Sequence, residues 1–346
     1  MNSGTTLWLS GALLVLVLLA SLGQRDQQPI TTRGEDFLPG LADALDEVSA
    51  IELIRAGNET FATLERGESN WTVQQKDGYP ADLNKTRHLL LSLAETQILE
   101  AKTAAPALHD RLGVEALTSE TAGGVGVRLI GTTEPVEVIV GDTEGSYQRY
   151  VRRQGENQSY LINRDPEIGT EASDWLDTTI LTLARDRLQY VTVTRPDGEV
   201  VMISKAVRGQ QNFTVDNIPE GRAIRYDSIP NVMGNVLEDL SLEDVERATE
   251  TDEPTILTEF RTFDGLEITV HSLERDDTAW VSFAAMLDPA LPEGSEETRE
   301  AAETEAAEIN ARLEGWRYQI PTFKFEQLTR TMEDLLQELE EEDTAE

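Results

Sequence analysis

The sequence predicts an α+β fold: two tandem duplicated β-rich subdomains, each an antiparallel meander with packed helices, preceded by one N-terminal transmembrane helix. Three observations predict it. Thr5 to Gly23 is an uncharged apolar run, and the first charged side chain of the chain is Arg25. Behind it, short segments alternate apolar and polar residues between glycine-containing turns, the pattern of antiparallel strands with one buried face. The order of those segments then recurs about 140 residues later, too long a period for a solenoid and suited to a duplicated domain. The resulting boundaries are 1–23 for the anchor, 24–36 for a linker, 37–188 and 189–340 for the two repeats, and 341–346 for an acidic tail.

At ~1.5 Å per residue, the run from Thr5 to Gly23 reaches across a hydrocarbon layer of ~30 Å. It lacks the basic n-region and the clear small-residue cleavage point of a secretory signal, so it reads as an uncleaved signal anchor. The positive-inside rule gives no direction here, because Arg25 follows the run. A single N-terminal span ahead of a large passenger points to a body outside the cytoplasm. Gln24 to Gly34, polar and broken by Pro29, is linker by composition.

Order begins at FLPGLADALDEVSAIEL, where Leu38, Leu41, Leu45 and Val48 recur at helical intervals before a strand near Ile51. A meander follows, turning at Gly57-Asn58 and Gly67 and ending at Trp71 and Val73. Gly78 to Thr103 predicts a helix capped by Asp82, with Leu83, Leu90, Leu93, Gln97 and Ile98 on one face. Strands are predicted at Gly126–Ile130, Val136–Val140, Tyr147–Arg153 and Ser159–Ile162, and another helix over Trp175–Leu188.

The second half echoes the first. YVTVTRPDGEVVMI, from Tyr190, repeats the strand, turn and strand of Ile51 to Leu64, and NFTV at Asn212 matches NWTV at Asn70. Pro230 then precedes VMGNVLEDLSLEDV as Pro80 precedes LLLSL, each predicting a helix. VEVIVGDTEGSYQRYVRR parallels LEITVHSLERDDTAWVSF, and SDWLDTTILTL parallels EGWRYQIPTFKFEQL. In that last stretch Trp316, Tyr318 and Ile320 alternate on a strand that Pro321 ends. A closing helix with the stripe Leu328, Met332, Leu335, Leu336 and Leu339 is predicted behind it.

Composition removes whole classes of function. The formal charge of -36, from 65 acidic and 29 basic residues, disfavours nucleic acid and anionic lipid headgroups, both of which require concentrated lysine and arginine. No EF-hand pattern organises the acids for calcium. There is no cysteine, so disulfides, thiol catalysis and thiolate metal sites are absent.

The motifs offer little chemistry. His88, His109 and His271 stand apart without metal-ligand spacing. GGVGV at Gly123 precedes a strand pattern rather than a helix and reads as a turn, not a phosphate cradle. Ser204 and Lys205 are neighbours on a strand and face opposite ways, so they form no dyad. No catalytic, cofactor-binding or metal-ligating residue is put forward, and no cofactor is expected. Two arginine-aromatic clusters remain, SYQRYVRR and WRYQIPTFKF. Their aromatic faces and guanidinium groups suit a partner, which makes Arg149, Tyr150, Arg152, Arg153, Trp316, Arg317 and Tyr318 the candidate partner-binding residues. Alternation alone also accounts for the spacing, with the aromatics in the core and the arginines on a solvated strand face.

LPGLADALDEVSAIEL, NWTVQQKDGYPADLNKTRHLLLSLAETQILEAKT, RLGVEAL, VGDTEGSYQRYVRR and DWLDTTIL occur in that order. This succession, spanning Phe37 to Leu336, resembles the bacterial family of domain of unknown function number 4340. The resemblance implies an N-terminal membrane anchor, an extracytoplasmic body, and genes often set beside gliding-motility-type ABC transporter components. It carries over no catalytic residue. On this basis the chain is expected to sit in a bacterial inner membrane as a single-pass protein with its body in the periplasm. It would be a non-catalytic accessory subunit, partnered by the membrane through its N-terminal helix and by ABC-type transporter membrane subunits or a related envelope protein. The alternatives are a freestanding module binding envelope glycan or peptide, and a hydrolase with a carboxylate site.

Overall fold

The computed structural model describes residues 34–249, 256–289 and 296–338. The predicted anchor, most of the linker, Leu339 and the acidic tail lie outside them. No helix among the described residues is long and apolar enough to cross a membrane. The fold is mixed α+β with antiparallel sheets. The described chain divides into two compact units, residues 34–66 with 84–170, and residues 67–83 with 171–338.

In the first unit a helical turn, α1 (Leu41–Ala44), leads to β1 (Ala50–Arg55) and β2 (Glu59–Arg66). These two strands turn where expected, at Gly57 and Asn58, both with positive φ. The chain then contributes β3 (Trp71–Val73) and β4 (Tyr79–Pro80) to the second unit. It returns through α2 (Leu83–Ala94) to β5 (Ile98–Ala101), β6 (Val125–Ile130), β7 (Val136–Glu144), β8 (Gln148–Arg153) and β9 (Ser159–Ile162). The strand order in this unit is β2-β1-β6-β7-β8-β9-β5, with antiparallel neighbours.

Register follows from the alternation. Ile51 lies opposite Leu64 and Leu129, and Leu53 opposite Ala62 and Val127, all buried. A one-residue slip would carry this set to the other face. Between them Arg128 lies directly opposite Glu52 and Glu137 and bonds both, at 2.6 Å to Glu52 and 3.1 Å to Glu137. This cross-strand triplet matches charge only in the observed pairing. A separate buried cluster of Ile54, Val114, Leu117 and Ile139 holds the segment that follows β5.

In the second unit a short strand β10 (Thr179–Leu181) pairs with β14 (Leu240–Ser241). The main sheet uses β11 (Leu188–Thr194), β12 (Val200–Ser204), β13 (Thr214–Val215), β15 (Asp244–Arg247), β16 (Ile256–Thr262), β17 (Leu266–Arg275), β18 (Thr278–Leu287) and β19 (Trp316–Gln319), in the order β13-β12-β11-β16-β17-β18-β19-β15. Strand β16 alternates buried and half-buried residues without exception. Asp276 and Asp277 close the β17-β18 hairpin with φ of 51° and 60°, the pair of positive values a type I′ turn needs.

Both units follow one plan. A hairpin is followed by a connection to the far edge strand, and a four-strand meander then fills the gap between hairpin and edge. β6 to β9 do this in the first unit and β16 to β19 in the second. The VEVIVGDTEGSYQRYVRR and LEITVHSLERDDTAWVSF segments take the same place in that plan, as β7-β8 and β17-β18. The SDWLDTTILTL parallel does not hold, because β9 is the counterpart of β19.

Several helices differ from expectation. The predicted Gly78–Thr103 helix stops at Ala94, and Ile98 starts a strand. Leu83 is exposed and the buried residues of α2 include Leu89, Leu90 and Leu93. Trp175–Leu188 is not a helix. Two 3-10 turns, Ala172–Trp175 and Arg185–Arg187, flank β10, because Thr178-Thr179-Ile180 favours extended backbone. After Pro230 only α3 (Asn231–Gly234) is helical. The long helix α4 (Glu296–Leu313) enters between β18 and β19, unanticipated from the sequence. The predicted closing helix is two, α5 (Thr322–Leu328) and α6 (Met332–Leu335), separated where Thr331 forms a capping box with Asp334.

Helix α4 is held by polar contacts as well as by its buried residues Ala302, Ala306, Ile309 and Leu313. Asn310 bonds the backbone N–H and C=O of Ala285 at 2.8 and 2.7 Å. Arg187 bonds both carboxylate oxygens of Glu305 at 2.8 Å and both of Asp264 at 3.2 Å, while Arg208 reaches Asp264 at 2.8 Å. Burial pushes the Asp264 carboxyl up, but hydrogen bonds from Arg187, Thr262 and Arg208 outweigh it and hold the group below its ordinary 3.8. A depressed folded-state value stabilises the fold above the unfolded pKa and is lost as pH falls through the folded value. Because the groups are partly exposed, Arg187→Met should cost about 1–2 kcal/mol at neutral pH. In urea melts the variant should lose less stability than the parent as pH falls below 3.8.

Candidate functional site

The first arginine-aromatic cluster lies on β8, and each of its groups is engaged within the unit. Arg149 pairs with Asp165 at 2.8 Å and donates to the Gly141 carbonyl at 2.9 Å. The Tyr150 hydroxyl donates to Glu144 at 2.8 Å. That bond, with burial, pushes its pKa up to about 12. Arg152 is 6% exposed and donates to the carbonyls of Val114 and Glu156 at 2.7 and 2.8 Å. Burial pulls its pKa down. Arg153 donates to the Phe37 carbonyl at 2.6 and 3.0 Å, pairs with Glu156 at 3.1 Å, and lies 4.9 Å from the Phe37 ring.

The second cluster centres on β19. Trp316 is buried, with the Tyr79 ring edge-on at 5.0 Å and the Arg247 guanidinium 3.5 Å from its ring centroid. Arg317, only 4% exposed, pairs with Glu246 at 3.1 Å and lies 6.0 Å from the Trp280 ring. Tyr318 has no exposed surface and packs edge-on with Tyr79 and Phe283. Burial pushes up both tyrosine hydroxyls, that of Tyr79 to about 12. The solvated arginine face expected from alternation is therefore corrected at Arg152 and Arg317. Arg152 donates to two backbone carbonyls, and Arg317 lies against the Glu246 carboxylate and donates to the Thr249 hydroxyl at 3.3 Å, so each guanidinium meets polar groups away from water.

The other sequence motifs have internal uses too. Ser204 bonds Asp216 at 3.3 Å, while Lys205 turns inward to the Arg185 carbonyl at 3.0 Å and the Phe213 ring at 4.4 Å. His109 is buried against the Asn157 carbonyl at 2.8 Å. No group of three His, Cys, Asp or Glu side chains among the described residues is placed to hold a metal ion.

A cleft of about 620 Å³ lies in the first unit, between the α1 segment, the β6-β7 turn and the end of β8. Leu38, Leu41, Ala44, Pro135 and Val136 make it largely apolar. Asp43 and Glu47 stand on one side, Glu134 on the β6-β7 turn, and Arg153 and Glu156 at the end of β8. Glu47 ties the sides together, accepting from the Thr133 backbone N–H and hydroxyl at 3.1 Å each. Of the sequence-predicted residues only Arg153 lines it. The others were missed because LPGLADAL reads as a core helix, and only the exposed acids beside its leucines hint at a binding wall.

Residues 71–259 match the model of a family described as a domain of unknown function (DUF4340). That is more than half of the chain. The chain belongs to this family. A search of curated proteins finds no significant match. The DUF4340 match includes the β8 cluster from Arg149 to Arg153 and ends before Trp316. The α1 wall of the cleft precedes the DUF4340 match, whereas Glu134 and Arg153 fall within it.

Proposed function

We propose that this DUF4340 protein is a membrane-anchored, extracytoplasmic, non-catalytic accessory subunit of a bacterial ABC-type transport or envelope assembly. The observation that carries the reading is the uncharged run from Thr5 to Gly23, one span's length of apolar sequence ahead of a large two-unit body. The acidic charge supports a protein partner over nucleic acid. The two units derive, on this reading, from duplication of one ancestral module. Their shared strand plan supports that origin, with α4 a later insertion in the second copy.

Affinity purification of the full chain from membranes in mild detergent, followed by mass spectrometry, tests the role. Recovery of the membrane subunits of an ABC-type transporter is expected. Recovery of the protein alone, with its fold intact, would sink the accessory assignment.

A further inference from the structure

We propose that the cleft of the first unit docks a basic peptide segment of a partner protein, with an aliphatic side chain seated on its apolar floor and flanking lysine or arginine side chains reaching Asp43 and Glu134. The inference deepens the accessory reading and rests on it only in taking the occupant to be a protein. A volume of about 620 Å³ takes more than a single side chain and far less than a folded domain. Leu38 and Leu41 are themselves buried, so the floor is firm, and Ala44 and Val136 remain half-buried beside it.

Charge selects the occupant. Among the acids that line the cleft, Glu47 is bonded to Thr133, Glu137 to Arg128, and Glu156 to Arg153. Arg153, the cleft's cation, is turned to the Phe37 carbonyl. Asp43 and Glu134 are exposed, and their carboxylates form no ion pair with a described residue. They stand on two different sides of an apolar trough. A ligand bearing cations on either side of an aliphatic group satisfies both, while an acidic ligand meets two carboxylates on a chain of charge -36.

Because so acidic a protein attracts any cation, the test must separate the cleft from the overall field. The probe is a short fluorescent peptide with one leucine between two lysines, titrated against the full chain in a neutral detergent by polarisation. Binding is expected, weakening with added salt, and absent for the same peptide with glutamates. The double variant Asp43→Lys/Glu134→Lys, and separately Ala44→Trp, should each weaken it about tenfold. These positions are exposed or half-buried, and circular dichroism checks the fold. The control Glu300→Lys/Glu308→Lys on α4 changes net charge equally and should leave affinity within about twofold.

Equal weakening by the control, or no effect of either cleft variant, would overturn the site. The same holds if Asp43→Lys/Glu134→Lys recovers every partner that the parent recovers in affinity purification, a result that leaves the accessory role standing. Peptide binding that survives while no transporter subunit is recovered would instead support the cleft and remove the accessory role.

Discussion

Gly141→Ala should destabilise the first unit by about 3 kcal/mol, the upper end of what overpacking ordinarily costs. The segment from Pro106 to Ala122 crosses the sheet so closely that a methyl group at Gly141 would collide with the Leu112 carbonyl oxygen and come within 2.8 Å of the Gly113 carbonyl carbon. Gly124 meets the Gly113 carbonyl in the same way. These are backbone atoms, so no side-chain rotation relieves the clash. Retreat of the segment is opposed by Arg152, which grips the Val114 carbonyl at 2.7 Å, and by the buried Val114 and Leu117. Gly145→Ala provides the comparison. Nothing lies within 4 Å of its added carbon, so only its positive φ of 69° is strained, at a cost of about 1–2 kcal/mol. Chemical denaturation of the two variants measures both. Equal losses would show that the crossing segment can move aside.

The same glycines show what the sequence could reveal and what it could not. Strands β6 to β9 were legible because alternation and glycine or polar turns are local signals. GGVGV runs into strand β6 as its pattern predicts, but the need for glycine at Gly124 depends on a segment that crosses from elsewhere. Helix α4 escaped notice because its buried stripe, Ala302, Ala306, Ile309 and Leu313, is half alanine within a run of glutamates. Such a stripe has helical spacing with little hydrophobic contrast. The arginines misled for a related reason. Alternation places a side chain on a face but does not say whether that face meets water, and Arg152 and Arg317 are buried because carbonyl or carboxylate groups arrive from distant segments. The cleft was hidden likewise, since its sides come from α1, the β6-β7 turn and β8, which only the fold brings together.

Trp316→Ala should cost the second unit about 3–5 kcal/mol, the range for removing a buried tryptophan. Trp316 lies opposite Arg247 in the pairing of β19 with the edge strand β15, and the Arg247 guanidinium rests on its ring. Its ring also meets Tyr79 edge-on, from the segment that leaves the first stretch of chain to join this unit. Deleting the indole therefore opens a cavity, removes the cation-π platform at the sheet edge, and loosens β4 at once. Trp316→Phe keeps part of the ring and should recover part of the loss. Phe323, 56% exposed a few residues on, is the internal control, and its replacement by alanine should change stability by less than about 0.5 kcal/mol. Thermal and urea unfolding of the three variants decides between a structural join and a ligand strip. A Trp316→Ala protein as stable as its parent that no longer recovered a partner in affinity purification would restore this tryptophan as a binding residue, because a side chain that the fold does not need would then be needed for the partner.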